Sequence, residues 1–506
     1  MTVLSRKKKF ILNTIASLIN QLLLIISGFL LPSAMLSAYG SEVNGLVSSI
    51  SQFLGFISFM QAGVGVVVQA ALYKPLSSNN YQKVSQIYVS AQKFFRMIAI
   101  IFVAYTVLLA FVYPYFTDTP FTNQYIAFLV FAISINLFAQ YYFGLTNSLL
   151  LQADQKAYVS LTFQSLSIIL NVIVSLVLIY SGFTVLSVKL VSNILCLVSP
   201  IGVFLYVRKK YEINRRIKYS EEPIKQKWSG FSQHISAVIV DNTDVIILTL
   251  FSSLQNVSVY YVYYIVVNSL RVLLVSLTNG IQSLFGDMLA RNEISKLSFI
   301  FSKFEIVFSY ITTFLYTCTL CLIVNFVKVY TKSVNDVNYD VPVFAALITL
   351  AFALFCYRTI YYSLIKAAGH FKETQFGATL EAVLNVSISI IFVTHWGLVG
   401  VAIGTLIAVT YRTIYCAWYL SKNIINRPQK FFWKSIITNL VVYLISYLLT
   451  ANFSLNDISY FSWILIAIRV AIIVFFVLSI SYLFSYQKDF ANIKENISLL
   501  KETLKK

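Results

Sequence analysis

The side chains of this chain that can do chemistry are the charged and amide groups set inside its apolar runs. Arg271, Arg358, Arg412 and Arg469 lie within such runs, Lys189 lies nearer the end of one, and Asp241, Asp244 and Glu381 stand against them. An ionised group in hydrocarbon costs about 2.5 to 3.5 kcal/mol on insertion scales, so each is a functional hypothesis by default. Basic groups outnumber acidic ones in this set. An excess of guanidinium in a low-dielectric cavity is a site for an anion, and its planar donors match phosphate oxygens. Arg271, Arg358, Arg412 and Lys189 are therefore candidate substrate-binding residues. Arg469 is set apart as a structural or lipid-contact residue, because its helix falls outside the internal repeat described below.

Spacing sorts these groups onto faces. His234, Ala237, Asp241 and Asp244 recur at i, i+3, i+7 and i+10, one face of a helix, and Tyr264, Asn268, Arg271 and Thr278 do the same. Uncharged rows run through Asn13, Ser17, Asn20 and Ser27, through Asn136, Gln140 and Asn147, and through Gln164, Asn171 and Ser175. A helix face turned to lipid does not carry such rows, so they are expected to line a wet cavity. This adds Asn268, Asn20, Gln140 and Asn171 to the substrate-binding candidates. The competing reading is that the rows tie helices together by hydrogen bonds and that Asp241 or Asp244 neutralises Arg271. A carboxylate that changes surroundings between conformations can take up H+ or Na+, so Asp241 and Asp244, with His234, are the candidates for ion coupling. The chain has no Gly-rich phosphate loop, paired-histidine metal motif or nucleophile elbow. No cofactor, metal or catalytic residue is expected, and active transport would have to be secondary. The five cysteines lie in apolar runs without zinc or disulfide spacing and read as small hydrophobes.

The elements that position these residues are membrane helices. Of 506 residues 58% are hydrophobic and 11% charged, which excludes a solvated globular enzyme of this length. A net charge of +19 would point a soluble chain toward nucleic acid, but here the basic residues collect in alternate loops, as cytoplasmic loops of membrane proteins do. No nucleic-acid partner is expected. Apolar runs fall at 10–31, 47–72, 97–115, 125–151, 158–180, 185–206, 231–251, 260–284, 306–329, 344–364, 376–394, 398–420, 432–450 and 461–483, fourteen in all. Nearly all Lys and Arg in or next to the loops fall on one side of the alternation, with only Lys328 and Lys332 in or next to a loop of the other, which places both termini in the cytoplasm. The basic start Arg6-Lys7-Lys8-Lys9 reads as the flank of the first spanning helix, since its apolar run is too long for a signal peptide. Segments 81–96, 287–304 and the tail 487–506 look amphipathic and are expected on the inner leaflet as interfacial helices.

An internal repeat sets the architecture. Ser148-Leu149, Ala153, Lys156, Leu170-Asn171-Val172 and Gly182 are echoed, within a residue, by Ser363-Leu364, Ala368, Lys372, Leu384-Asn385-Val386 and Gly397. A unit of six helices is even, so both copies keep one orientation and are related by an axis along the membrane normal. The expected fold is an all-α polytopic membrane protein. It has a six-helix lobe over 1–206, a cytoplasmic linker over 207–230, a second pseudo-symmetric six-helix lobe over 231–430, a terminal helix pair over 431–486 and an amphipathic tail over 487–506. By analogy with other repeat-built transporters, the substrate path runs between the lobes.

The stretch Ile365-Lys366-Ala367-Ala368-Gly369-His370-Phe371-Lys372-Glu373-Thr374-Gln375 resembles the corresponding loop of bacterial polysaccharide-biosynthesis flippases. So do the opening Arg6-Lys7-Lys8-Lys9-Phe10 and the segment Tyr39-Gly40-Ser41-Glu42-Val43-Asn44-Gly45. These flippases belong to the multidrug/oligosaccharidyl-lipid/polysaccharide exporter superfamily, and the resemblance extends over nearly the whole chain in helix count, repeat and loop placement. It implies a flippase of the bacterial cytoplasmic membrane that moves undecaprenyl-diphosphate-linked oligosaccharide repeat units outward for capsule, O-antigen or exopolysaccharide assembly, by alternating access. Implied partners are the lipid-linked oligosaccharide, membrane lipids and other polysaccharide-assembly proteins. The resemblance assigns no individual binding residue. A lipid II flippase is the nearer alternative. A multidrug exporter would want an acidic cavity, and a membrane polysaccharide polymerase would want a large external loop that this chain lacks.

Overall fold

The computed structural model describes residues 6–61, 64–117, 119–217, 219, 222–223, 231–455 and 457–491, with some side chains, that of His234 among them, left undescribed. The tail expected over 487–506 lies almost wholly outside these residues. All regular structure among the described residues is helical. The chain divides into two compact units, Met1–Ser258 and Val259–Lys506.

The first unit holds α1 (Arg6–Gly55), α2 (Val64–Ser77), α3 (Tyr81–Val112), α4 (Asn123–Ala139) and α5 (Leu145–Ala153), then α6 (Ala157–Tyr180), α7 (Val185–Cys196), α8 (Val198–Lys210) and α9 (Phe231–Phe251). Its apolar core draws on most of these helices. The sequence-based division puts α9 in the second lobe. In the structure it packs on α1, with Ser49 and Thr249 hydroxyls 2.7 Å apart, and Gly45 leaves no room for a Cβ beside the Leu254 carbonyl at the start of α10 (Leu254–Ala290). The second unit takes the rest of α10, then α11 (Ile294–Tyr330), α12 (Pro342–Ala367), α13 (Gln375–Asn423), α14 (Lys430–Thr450) and α15 (Tyr460–Ala491). A polar seam ties the last two helices to α11. Tyr482 Oη donates to Asn439 Oδ1 at 2.8 Å and lies 2.8 Å from the Ser309 hydroxyl, and Asn439 Nδ2 donates to Ser309 Oγ at 2.9 Å.

Among the described residues, eleven helical stretches are long and apolar enough to cross a membrane. Two of them, Ile11–Gln61 and Gln375–Asn423, have 51 and 49 residues, more than twice the roughly 20 that one crossing needs. Each is broken at a glycine with positive φ, Gly40 at 81° and Gly397 at 51°, and so supplies two limbs. With α9, a helix of 21 residues, this makes fourteen membrane-length segments among the described residues. The protein is a multi-pass membrane protein with an all-α fold. Two expected interfacial helices are corrected. Residues 81–96 are the first half of α3, where Val84, Ile87, Tyr88, Phe94 and Phe95 are buried, and 294–304 are the first turns of α11, with Leu297, Ile300 and Phe301 buried. Their amphipathic pattern packs against protein rather than lying on the leaflet.

The sequence repeat has a backbone counterpart. α2 ends with Asn79 at φ 52°, its N–H donating to Leu76 O and that of Asn80 to Pro75 O. α10 ends in the same way at Asn292, φ 56°, with Asn292 N–H to Leu289 O and Glu293 N–H to Met288 O. After α5, Gln155 and Lys156 close on Gln152 and Leu151, and after α12, Gly369 and His370 close on Lys366 and Ile365. All four are Schellman caps with a left-handed residue, and they pair at the offset of the sequence repeat. The side chains follow. Asn171 Oδ1 accepts from Ser192 Oγ on α7 at 2.6 Å, and Asn385 Nδ2 donates to Thr405 Oγ1 across the Gly397 break at 3.0 Å. Each asparagine pins its helix to the next one. Asn171→Ala and Asn385→Ala should each cost about 0.6 to 1.7 kcal/mol, read as a fall of a few degrees in the thermal midpoint of the detergent-solubilised protein; an unchanged midpoint in both would remove the pinning role.

Candidate substrate site

Three of the arginines named from sequence come together in the second unit. Arg271 on α10 lies over two rings of α12, with its guanidinium carbon 5.4 Å from the Phe352 centroid and 4.9 Å from that of Phe355. Arg358, one turn along α12, covers Phe355 too, at 4.5 Å, so one aromatic ring serves two cations. Arg358 Nη1 then pairs with Glu381 Oε1 on α13. The other oxygen of Glu381 faces Arg412 Nε at 3.7 Å, and Arg412 Nη1 donates to Thr374 O at 3.0 Å. Tyr415 stacks under Arg412, and Gly377 clears the space, since a Cβ there would meet Arg412 Nη1 and the Tyr415 ring.

Burial divides the three roles. Arg358 is 9% exposed, Arg412 3% and Glu381 6%, so one carboxylate shared by two guanidiniums is enclosed in protein, which suits positioning more than ligand contact. Arg271 is only half-buried. It is the most exposed guanidinium of the row, with Arg358 behind it across Phe355. On the same face of α10, Asn268 Oδ1 is buried without a hydrogen-bond partner, an acceptor that a substrate donor would satisfy.

The other candidates are dispersed. Asp244 is buried and Asp241 exposed on α9, three residues apart, and for His234 the structure describes the backbone alone. Asn20 is buried and donates to Ser165 Oγ at 3.2 Å, and Asn171 is engaged as described, so both tie helices together. Gln140 opens a π-turn, Gln140–Gly144, where its amide oxygen lies beside Gly144. Lys189 on α7 is half-buried, and among the described residues no carboxylate pairs with it. Arg469 is exposed on α15, on the terminal pair. Among the described residues no group of three or more His, Cys, Asp or Glu gathers as a metal site.

Two charge clusters were missed from sequence. Arg427, between α13 and α14, holds Glu305 of α11 with two bonds of 2.6 and 3.0 Å, and Tyr361 donates to the same carboxylate. The signal was present: Leu297, Phe301, Glu305, Phe308 and Thr312 share one buried face of α11, and a lone acid on such a face needs a partner. In the first unit Asp154 takes Lys156 at 2.6 Å, Lys9 at 3.5 Å and the Tyr211 hydroxyl. Burial, and then the Asp154 carboxylate, push the Tyr211 phenol above its usual range. This cluster draws the start of the charged linker back onto the unit, where Asn214 N–H donates to Ser85 Oγ at 3.1 Å.

The arrangement matches solved transporters in fold. The structure of the lipid II flippase MurJ in an inward closed conformation aligns with a TM-score of 0.69 at 16% identity, covering 95% of this chain and 100% of that one. An inward-facing multidrug resistance MATE family transporter of the MOP superfamily aligns at 0.61 and 14%, covering 79% and 95%. The MATE transporter VcmN of Vibrio cholerae in its bent form aligns at 0.55 and 12%, covering 84% and 98%. The chain thus carries the fold of MOP-superfamily transporters. No protein-family model matches its sequence, and no curated protein matches it either.

Proposed function

We propose that this protein is a flippase that moves an undecaprenyl-diphosphate-linked oligosaccharide from the inner to the outer leaflet of a bacterial cytoplasmic membrane by alternating access. The observation that carries the reading is the row Arg271, Phe355, Arg358, Glu381, Arg412, in which two guanidiniums share one carboxylate and a third, half-exposed, shares the Phe355 ring with Arg358. Such a row favours a phosphate-bearing headgroup and disfavours a cationic drug. The recurring caps support two six-helix lobes, 1–206 and 231–430, joined by 207–230 and followed by the pair 431–486. Asp241, Asp244 and His234 on α9 are the groups for H+ or Na+ coupling. Capsule, O-antigen or exopolysaccharide assembly is the pathway that such a substrate serves, and the other proteins of that assembly are its partners.

A second reading, flipping of lipid II, is favoured by the likeness to the MurJ flippase, which spans the whole of that chain. One experiment separates them. In liposomes containing the purified protein, a membrane-impermeant glycosidase reports how fast each lipid changes leaflets. Arg271→Ala should slow flipping of the diphosphate-linked oligosaccharide about 10- to 100-fold, the worth of a hydrogen bond to a charged group, while Arg271→Lys retains part of the rate. Wild-type rates in Arg271→Ala would remove the anion site; transport of lipid II alone would select the second reading.

A further inference from the structure

The first unit has a feature that the transport reading leaves unused. A groove of about 510 Å³ lies between α3, α4, α7 and α8, and its walls are almost wholly apolar, with Val103, Phe131, Phe138, Phe143, Leu190 and Ile201 among them. Val103 is 46% and Leu190 40% exposed, so the groove opens on the outer surface of the unit. It follows α4 and the π-turn from residue 128 to residue 143, roughly 22 Å of helix at 1.5 Å per residue. A peptide in hydrocarbon would leave its backbone unsatisfied there. A hydrocarbon chain would not.

One end of the groove is cationic. Arg96 shares a face of α3 with Val103, two turns on, and its guanidinium lies 4.6 Å from the Tyr142 centroid. Tyr142 stacks on Phe138 at 5.6 Å and meets Phe143 at 4.7 Å, both of them groove residues. Phe143 in turn meets Phe204 at 5.4 Å, and the Arg215 guanidinium lies 5.1 Å over Phe204. An aromatic collar thus carries two guanidiniums at the end of the groove nearer the start of α3, the side that charge alternation assigns to the cytoplasm. Among the described residues neither arginine pairs with a carboxylate, and Arg96 Nε is buried with no hydrogen-bond partner. A long apolar channel that ends at two cations and an unused donor fits one amphiphile.

We infer that this groove binds an anionic phospholipid of the inner leaflet, its phosphate held by Arg96 and Arg215 and one acyl chain lying along α4. Two cations without a counter-carboxylate select a net negative headgroup over a zwitterionic one. The site belongs to the first unit alone and does not depend on what the protein transports.

The test uses the full-length protein in phosphatidylcholine vesicles, with phosphatidylglycerol or phosphatidylcholine spin-labelled near the chain end, and reads the motionally restricted fraction by electron paramagnetic resonance. Wild type should restrict phosphatidylglycerol in preference to phosphatidylcholine. The double variant Arg96→Gln/Arg215→Gln should bring the ratio to unity, Arg96→Lys/Arg215→Lys should keep a preference, and Val103→Trp, at an exposed groove position, should lower the restricted fraction of both lipids. Equal restriction of the two lipids by wild type, or a preference that survives the glutamine pair, would overturn the site. Displacement of phosphatidylglycerol by an equimolar polyprenyl phosphate would overturn the phospholipid as its occupant.

Discussion

Replacing Glu381 with Leu is expected to destabilise the protein by about 3 to 5 kcal/mol, the cost of breaking a buried ion pair from one side. Glu381 pairs with Arg358 and lies 3.7 Å from Arg412, and all three side chains are enclosed. Without the carboxylate two guanidiniums remain in a low dielectric with rings and one carbonyl for company, and arginine does not escape by losing its proton. The reading is the thermal midpoint and the folded fraction after size-exclusion chromatography in detergent. Glu381→Gln keeps the shape and removes the charge, so a loss nearly as large would assign the effect to charge. The triple variant Glu381→Leu/Arg358→Met/Arg412→Met should recover most of the midpoint, since well-packed apolar replacements of a buried ionic group are often neutral or stabilising. The same triple variant tests function separately. If Arg358 and Arg412 only position the row, it still flips substrate through Arg271; if they grip the substrate, it is stable and inactive. A single Glu381→Leu variant with a wild-type midpoint would show that the carboxylate does not hold the two arginines.

How much of this was legible in the sequence follows from the range of each signal. The fourteen apolar segments and the repeat are local or periodic, and both have structural counterparts, the repeat even at the caps of Asn79 and Asn292, which no residue match had marked. Arg271, Arg358 and Arg412 were identifiable because a charge in an apolar run is conspicuous. Their division of labour was not, because it depends on which oxygen of Glu381 faces which arginine across two helices, a long-range fact. The amphipathic segment 81–96 shows the limit of pattern alone. A polar face opposite an apolar one is the same in sequence whether the apolar face meets lipid or, as for Tyr88, Phe94 and Phe95, protein. Arg427 was hidden for a related reason: among many cytoplasmic basic residues it carries no mark of its own, and only the buried face of α11 gives it away.

The polar rows divide along the same line. Asn20, Asn171 and Asn385 bond to hydroxyls of neighbouring helices, which is how membrane helices associate when hydrophobic burial offers little difference between lipid and protein. Asn268 does not, and it shares its face with Arg271. Asn136 Oδ1 is likewise buried without a partner, so unspent hydrogen-bonding capacity occurs in both units, and on α10 it lies on the face that carries Arg271.

Arg427→Leu should have an effect of similar size, about 3 to 5 kcal/mol, at a second buried ion pair of the same unit. Its guanidinium grips Glu305 through two nitrogens, donates to Ser302 Oγ at 3.0 Å and lies over Phe301 and Phe431, each at 5.2 Å. Glu305 also accepts from Tyr361 of α12, so one carboxylate joins α11, α12 and the connection into α14. Removing the arginine strands Glu305, at 6% exposure, with a single neutral donor. Arg427→Lys should fall between the two, because an ammonium is a point charge and does not reproduce the two-pronged bond. The consequence for the fold is local as well as global. The connection 424–429 should become a site of limited proteolysis, since the backbone bond from Arg427 N–H to Ser421 O no longer has an anchored side chain behind it. Glu305→Leu/Arg427→Leu should restore both the midpoint and the resistance to cleavage, as removal of both members of a buried pair leaves no charge unmatched. If Arg427→Leu alone kept the wild-type midpoint and resistance, the attachment of α14 would have to rest on the Ser309, Asn439 and Tyr482 seam by itself.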